Sequence, residues 1–198
     1  MYVLRAVVRH EAEPAKGSRF VADACPTTSP EEAKAFIARI REEFSNASHH
    51  CWAWRLLDGQ QQSSDDGEPG GSAGRPILAQ IAGHEVADVT VVVTRWFGGT
   101  KLGVGGLVRA YAGAAGQVLD RAELEQHVPH SEYEFIHAYA DAAAVEAALR
   151  EFDATTVHAE FAADVRRRVS LPTADAPAFV RSLEQRTAGR VLAGPCDG

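Results

Sequence analysis

Glycine is concentrated in one segment of this chain, between residues 65 and 111. The first part of the segment reads DDGEPGGSAG from Asp65 to Gly74, and the second reads TRWFGGTKLGVGGLVRAY from Thr94 to Tyr111. Ordering a glycine costs more conformational entropy than ordering any other residue, so repeated glycines need a reason such as positive φ or close backbone approach. The segment can therefore present bare backbone to a ligand.

Hydrophobic periodicity places this segment in a domain with both helices and strands. Residues 89–94 form a β-branched run that is typical of a strand buried on both faces. Residues 107–119 carry a broad apolar stripe at helical spacing, so residues 98–106 between the two elements are predicted to be a loop. Upstream, a helix is expected to begin at Ser29, with Glu32 completing a capping box.

The pattern of predicted strands and helices changes from about residue 132. The predicted elements that follow are a strand at 132–139, a helix at 142–152, strands at 155–163 and 165–171, a helix at 175–187 and a strand at 190–193. This βαββαβ order is the ferredoxin-like arrangement. We therefore expect an α+β chain with two domains, residues 1–127 and 131–198.

Charge and composition limit the partners that the chain can have. A net charge of −7 argues against strong nonspecific binding to nucleic acid, but it leaves room for a local basic patch. The cysteines Cys25, Cys51 and Cys196 are scattered and form no CxxC pair, which favours reduced thiols in a cytosol over disulfides. No run approaches the roughly 20 apolar residues that span a bilayer. We expect a soluble cytoplasmic protein with no membrane partner.

The glycine loop and the helix after it predict an anion site. Successive exposed amides and a helix N-terminus attract negative charge. Arg95, Lys101 and Arg109 supply cations, and no acidic residue lies between positions 94 and 117, so the expected ligand is a phosphate, either free or on RNA. The glycines of the predicted site are Gly98, Gly99, Gly103, Gly105 and Gly106. Alternatively, these glycines only make turns and let the helix pack closely on the sheet.

The acidic half of the segment offers a second kind of site. The carboxylates of Asp65, Asp66 and Glu68 could hold Mg²⁺, which prefers carboxylate and water ligands, beside the phosphate. They could instead hydrogen-bond the amides of their own loop, or form ion pairs with Arg95 or Lys101.

Two adjacent histidines precede the acidic half. His49 and His50 point to opposite faces if they lie on a strand, so they cannot chelate one metal together. His49 is therefore a candidate for the groove or the metal site on its own. A nucleophilic role for neighbouring Cys51 would need a base and oxyanion donors that the sequence does not place.

Several of these segments resemble the signature of the IMPACT/YigZ family. The segments are SDDGEP at 64–69, SAG at 72–74, RWFGGTKLGVGGLVRAY at 95–111, KGSRF at 16–20 and HHCWA at 49–53. The resemblance covers the first domain from about residue 16 to residue 111. Ser72 stands where the family usually has threonine, and Trp96 where it commonly has tyrosine.

The resemblance implies a fold and a biological setting. The first domain is expected to be an α/β sandwich similar to the second domain of a small-subunit ribosomal protein, to elongation factor G and to the GHMP kinases. The second domain resembles the extra domain of bacterial members of the family, which is itself similar to a domain of elongation factor G. A translation-linked or regulatory role is implied.

Two functions from different classes fit these patterns. The first is a noncatalytic translation-linked regulator that binds RNA, the ribosome or a translation-associated protein through the cationic glycine loop, with no cofactor. The second is an enzyme or binding protein for a phosphorylated small molecule, with assistance from Mg²⁺ held by the acidic loop.

Overall fold

The computed structural model describes residues 1–196, which form an α+β structure divided into two compact units. The first unit is Met1–His127, and the second begins at Val128. Within the described range, no helix combines the length and apolar character that crossing a bilayer requires.

The first unit contains a five-stranded antiparallel sheet and a separate two-stranded one. Its strands are β1 (Tyr2–Leu4), β2 (Val8–Ala15), β3 (Ser18–Pro26), β4 (His49–Arg55), β5 (Gln61–Ser64), β6 (Val89–Trp96) and β7 (Leu124–Gln126). Its helices are α1 (Pro30–Glu43), α2 (Gly74–Gly83) and α3 (Val104–Leu119). Across the described residues, the sheet order is β2-β3-β6-β4-β5, while β1 and β7 pair separately.

Strand β6 is the centre of this sheet, and it confirms the strand that residues 89–94 predict. It pairs with β3 on one side and β4 on the other. Because side chains alternate along a strand, Val91 and Val93 join the core beneath α2 and α3, while Val92 joins the core beneath α1. Both faces of β6 are thus covered by helices, which explains its continuous apolar run.

Helix α1 begins as predicted, with one difference in its cap. The Ser29 hydroxyl accepts a hydrogen bond from the Glu32 amide at 3.2 Å. The Glu32 carboxylate, however, accepts from the Thr28 amide at 2.7 Å rather than from the Ser29 amide. The reciprocal bond of the capping box is therefore displaced by one residue, and the donors near the helix start still find acceptors.

The glycine loop is shorter than the predicted residues 98–106. Helix α3 already begins at Val104, so Gly105 and Gly106 lie in its first turn and not in the loop. The helix can start there because Gly103 has a φ of 73°, which reverses the chain direction immediately before it. Gly106 also leaves room for Leu102, whose Cβ would lie 3.0 Å from an added methyl group.

The second unit has the βαββαβ element order that its sequence predicts. Its elements are β8 (His130–His137), α4 (Ala142–Glu151), β9 (Thr155–Phe161), β10 (Val165–Pro172), α5 (Ala176–Arg186) and β11 (Gly194–Pro195). In the described chain these strands form an antiparallel sheet in the order β11-β8-β10-β9. Phe135 from the sheet and Phe179 from α5 pack in its core.

The last strand is displaced from the predicted residues 190–193. The Val191 amide donates a hydrogen bond to the Thr187 hydroxyl at 3.2 Å. This amide therefore bonds to the residue that follows α5 and not to a neighbouring strand. Arg190 forms an ion pair with Asp141 at 2.6 Å. These residues therefore connect α5 to β11, which begins only at Gly194.

One glycine of the loop is required by close backbone approach. A methyl group on Gly98 would lie 2.0 Å from the carbonyl carbon of Gly17, in the turn between β2 and β3. The Gly98 amide also donates to the Ser18 hydroxyl at 3.2 Å. The loop after β6 is thereby held against the β2–β3 hairpin.

The substitution Gly98→Ala is expected to lower the free energy of unfolding by about 2 kcal/mol or more, because backbone atoms must move to admit the methyl group. Gly70→Ala is the matched control, since an added methyl group there meets no atom within 4 Å. Urea unfolding measures both changes. Equal stability of the two variants would contradict the packing described for Gly98.

Candidate functional site

A buried ion pair joins the acidic and cationic halves of the glycine segment. Arg95 Nη1 donates to Glu68 Oε1 at 2.6 Å, and the two side chains are only 5% and 4% exposed. The Tyr111 hydroxyl donates to the same oxygen at 2.7 Å, and Arg95 Nη2 donates to the Ser18 hydroxyl at 3.1 Å. The cluster links β6, β3, α3 and the acidic loop.

This geometry changes the role expected of Arg95. The sequence places it among the cations of an anion site, but its charge is neutralised by Glu68 and enclosed by the aromatic rings of Phe20 and Phe97. For Glu68, the ion-pair alternative is therefore the one found. Within residues 1–196, Arg95 Nε is a buried donor with no acceptor.

Asp65 organises its own loop. Its carboxylate accepts hydrogen bonds from the amides of Gly71, Ala73 and Gly74 at 2.8 to 2.9 Å. Burial opposes ionisation, but these amide bonds outweigh it and lower the pKa of Asp65. The side chain thus holds the glycine turn and the start of α2 together.

Asp66 is also occupied by structural contacts. It forms an ion pair with Arg41 at 2.5 Å and accepts from the His50 amide at 2.7 Å. Across residues 1–196, no group of three or more histidine, cysteine, aspartate or glutamate side chains is arranged to hold a metal. The contacts of Asp65, Asp66 and Glu68 therefore favour the hydrogen-bonding and ion-pair alternatives over a magnesium site.

A cavity of about 360 Å³ opens where β6 ends and α3 begins. Its apolar lining consists of Pro69, Phe97, Leu102, Val104 and Leu107. Its other lining residues are His49, Glu68, Arg95, Lys101 and Gly103. We call this space the loop cavity. Since Glu68 and Arg95 neutralise one another, the exposed Lys101 gives the lining a net positive charge.

The N-terminus of α3 faces the loop cavity. The first hydrogen bond inside the helix runs from the Leu107 amide to the Gly103 carbonyl at 2.9 Å, so the amides before Leu107 are not used within it. No side chain of the described chain caps this end. Gly99 and Gly103 have positive φ values of 83° and 73°, which turn the loop toward the helix. The arrangement can attract an anion.

The predicted cations do not all converge. Arg109 lines a second cavity of about 330 Å³ together with Lys16, and both side chains are exposed. Leu102 lines both cavities. Of the predicted set, three residues line the loop cavity: Arg95, Lys101 and Gly103. Gly98 and Gly99 lie in the exposed loop. The remaining residues lie along the first turns of α3. These remaining residues are Gly105, Gly106 and Arg109.

The two histidines separate as predicted for a strand. His49 lines the loop cavity, with Nδ1 2.8 Å from the Asp66 carbonyl and Nε2 3.9 Å from Glu68 Oε1. His50 turns toward the end of α1, where Nε2 lies 3.2 Å from the Phe44 carbonyl, and burial lowers its pKa. His49 is thus brought to the groove.

The comparisons with known proteins agree with the signature segments. A family model described as the Impact N-terminal domain matches residues 16–119, which is more than half of the chain. The chain belongs to the IMPACT family. A second model, described as a domain of unknown function (DUF1949), matches residues 137–190 of this IMPACT family chain.

Full-length similarity extends the match to bacterial members. IMPACT family member YigZ of Escherichia coli (strain K12) is 40% identical over 181 residues, covering 89% of this chain and 89% of the relative. An IMPACT family member of Haemophilus influenzae is 34% identical, with 91% of this chain and 89% of the relative covered. A crystal structure described as that of an hypothetical protein matches with a TM-score of 0.73 and 36% identity, covering 99% of this chain and 97% of that chain. The family predicted from the motifs is confirmed.

Sequence reasoning missed two members of the buried cluster. The sequence places Tyr111 in the apolar stripe of α3 and Ser18 in the signature segment KGSRF, and it gives neither a role in the site. Tyr111 is fully buried. A buried tyrosine hydroxyl needs a hydrogen-bond partner, so a tyrosine inside an apolar stripe signals a polar group beneath the helix. No comparable signal marks Ser18.

Cys51 lies beside this cluster as a protonated thiol. It is fully buried, and Sγ donates to the Asp65 carbonyl at 3.0 Å. Burial raises the pKa of the Cys51 thiol to about 12. Because the thiolate is the nucleophilic form, the structure does not support the Cys51 nucleophile considered from the sequence.

Cys51 of this IMPACT family chain should resist alkylation. With iodoacetamide at pH 8, it is expected to react at least about a thousandfold more slowly than in the urea-unfolded chain, because the thiolate is scarce and enclosed. Cys25 and Cys196, which are partly exposed, serve as internal references in the same mass spectrum. Labelling of Cys51 as fast as Cys196 would be inconsistent with its burial.

Asp65→Asn should destabilise the chain by about 1.5–3 kcal/mol at pH 7, since hydrogen bonds to an ionised group are lost. The folded-state pKa of Asp65 is depressed, so its contribution is present above the unfolded pKa of about 3.9 and disappears as the pH falls through the folded pKa. The difference in the free energy of unfolding between the variant and the natural chain should therefore shrink below about pH 4. Urea unfolding across pH measures it.

The control for this experiment is Asp164→Asn, which changes an exposed carboxylate. Its free energy of unfolding should stay within about 0.5 kcal/mol of that of the natural chain. A constant destabilisation by Asp65→Asn from pH 7 to pH 3 would mean that the charge of Asp65 does not support the loop.

Proposed function

We propose that this chain is a translation-linked regulator that binds single-stranded RNA at the loop cavity and the adjoining face of α3. The observation that carries the proposal is the exposed ring of Phe97 beside Lys101 and the uncapped N-terminus of α3. Phe97 is 48% exposed. Aromatic rings stack on unpaired bases, while lysines and helix N-termini bind the phosphates between them.

The charge distribution supports a local site on an acidic chain. The net charge of −7 disfavours nucleic acid over the surface as a whole. At the loop cavity, however, the acidic lining residue Glu68 is neutralised by Arg95, which leaves Lys101 unopposed. The neighbouring cavity adds Lys16 and Arg109. An RNA strand that passes Leu102 would meet cations on both sides.

The translation link rests on the family resemblance. The resemblance implies that both units are similar to domains of translation factors, and we infer that the RNA is ribosomal or associated with the ribosome.

A second candidate ligand is a phosphorylated small molecule. It is favoured by the volume of the loop cavity, about 360 Å³, which lies within the range of small-molecule sites. The contacts of Asp65, Asp66 and Glu68 do not favour a magnesium site beside this ligand. A thermal-shift screen of nucleotides and phosphorylated metabolites tests it, because a ligand that binds only the folded chain raises Tm.

Reversing both Lys101 and Arg109 to glutamate should weaken binding to single-stranded RNA at least about tenfold. It should also reduce the slope of log affinity against log salt by about 1.4 or more, because two phosphate contacts are lost. Phe97→Ala should weaken binding by about tenfold without changing the slope, because stacking carries no counterion release. Fluorescence anisotropy at several salt concentrations measures these effects.

The matched control reverses Arg150 and Arg181, which are exposed on α4 and α5 and carry the same total charge. Its affinity should equal that of the natural chain. Equal losses in both double variants would assign the effect to net charge rather than to the loop cavity. Absence of RNA binding by the natural chain would refute the proposal.

A further inference from the structure

In the described chain, the buried ion pair leaves one carboxylate oxygen of Glu68 without a hydrogen bond. Glu68 Oε1 receives the hydrogen bonds from both Arg95 and Tyr111. Within residues 1–196, Oε2 receives none, and it is not sealed from solvent although the side chain is only 4% exposed. Glu68 lines the loop cavity, so its carboxylate adds to the lining an acceptor without a hydrogen-bond partner among the described residues.

His49 supplies a second acceptor at the same place. A carbonyl oxygen only accepts, so the 2.8 Å contact with Asp66 requires the proton on His49 Nδ1. In the neutral ring, Nε2 is then an acceptor, and it lies 3.9 Å from Glu68 Oε1. The separation is too long for a hydrogen bond between them, so His49 Nε2 remains open to a ligand donor, as Glu68 Oε2 does.

The rest of the lining determines which donor fits. Lys101 and the N-terminus of α3 provide positive charge, and they repel an ammonium or guanidinium group. A neutral hydroxyl group donates a hydrogen bond without that penalty. The cavity therefore combines a phosphate site with acceptors for a hydroxyl group on the same ligand.

We propose that Glu68 Oε2 and His49 Nε2 share, in a three-centre hydrogen bond, the single proton of the 2′-hydroxyl of the nucleotide whose phosphate lies at Lys101 and the start of α3, so that the site selects RNA over DNA. This inference rests on the proposed RNA binding. The 2′-hydroxyl is the group by which a protein distinguishes the two nucleic acids. Stacking of bases on the Phe97 ring alone would not distinguish RNA from DNA.

The test compares one single-stranded sequence as RNA, as DNA and as 2′-fluoro RNA. The 2′-fluoro group keeps the sugar pucker of RNA but cannot donate a hydrogen bond. We expect RNA to bind about tenfold more tightly than either of the others, as the loss of one charged hydrogen bond implies. Fluorescence anisotropy on the unmodified chain measures this preference.

Two variants locate the preference. His49→Phe keeps the ring and removes the acceptor, and Glu68→Gln removes the charge; in each, the ratio of RNA to 2′-fluoro RNA affinity should fall toward one. His84→Phe is the control, because His84 contacts Gln80 and Asp120 away from the loop cavity and should keep the natural ratio. Circular dichroism establishes that each variant is folded.

The outcomes separate this inference from the function on which it rests. If RNA and 2′-fluoro RNA bind equally well, the hydroxyl site is refuted while RNA binding stands. If the preference persists in folded His49→Phe, the location is refuted. Should Glu68→Gln fail to fold, His49→Phe and the 2′-fluoro comparison still decide. If no oligonucleotide binds, the proposed function itself fails.

Discussion

The ion pair between Arg95 and Glu68 is the contact on which the candidate site depends. Both charges are buried, so removing one partner would leave the other uncompensated at a cost of about 3–5 kcal/mol. Tyr111 and Ser18 supply further hydrogen bonds that make the burial tolerable. Because Arg95 belongs to the central strand and Glu68 to the acidic loop, the pair fixes the wall of the loop cavity relative to the sheet.

The pair also sets the electrostatic character of the site. A free Glu68 would repel phosphate, and a free Arg95 would be one more surface cation. Together they cancel, and the positive charge that remains comes from Lys101 and the end of α3. The net charge of the cavity lining therefore depends less on how many charged residues the motif contains than on which of them form ion pairs with one another.

The sequence predicted the elements better than the contacts between them. The β-branched run of β6 and the Ser29 cap are local signals, and both correspond to what the chain forms. The burial of Arg95 also had a local signal, because it continues the alternation of Val91 and Val93 and must share their face. Its partner had none, since Glu68 lies 27 residues away and meets it only through the packing of the sheet.

The division of the glycines follows the same logic. Glycine identity alone could not separate ligand-facing backbone from close packing, because both uses tolerate no side chain. The structure separates them: Gly98 packs on Gly17, whereas Gly103 turns the chain into α3 and lines the loop cavity. A loop held so closely at one end presents its helix N-terminus in a fixed position. Binding there would require little further ordering of the chain, which favours a site that is largely formed before its ligand arrives.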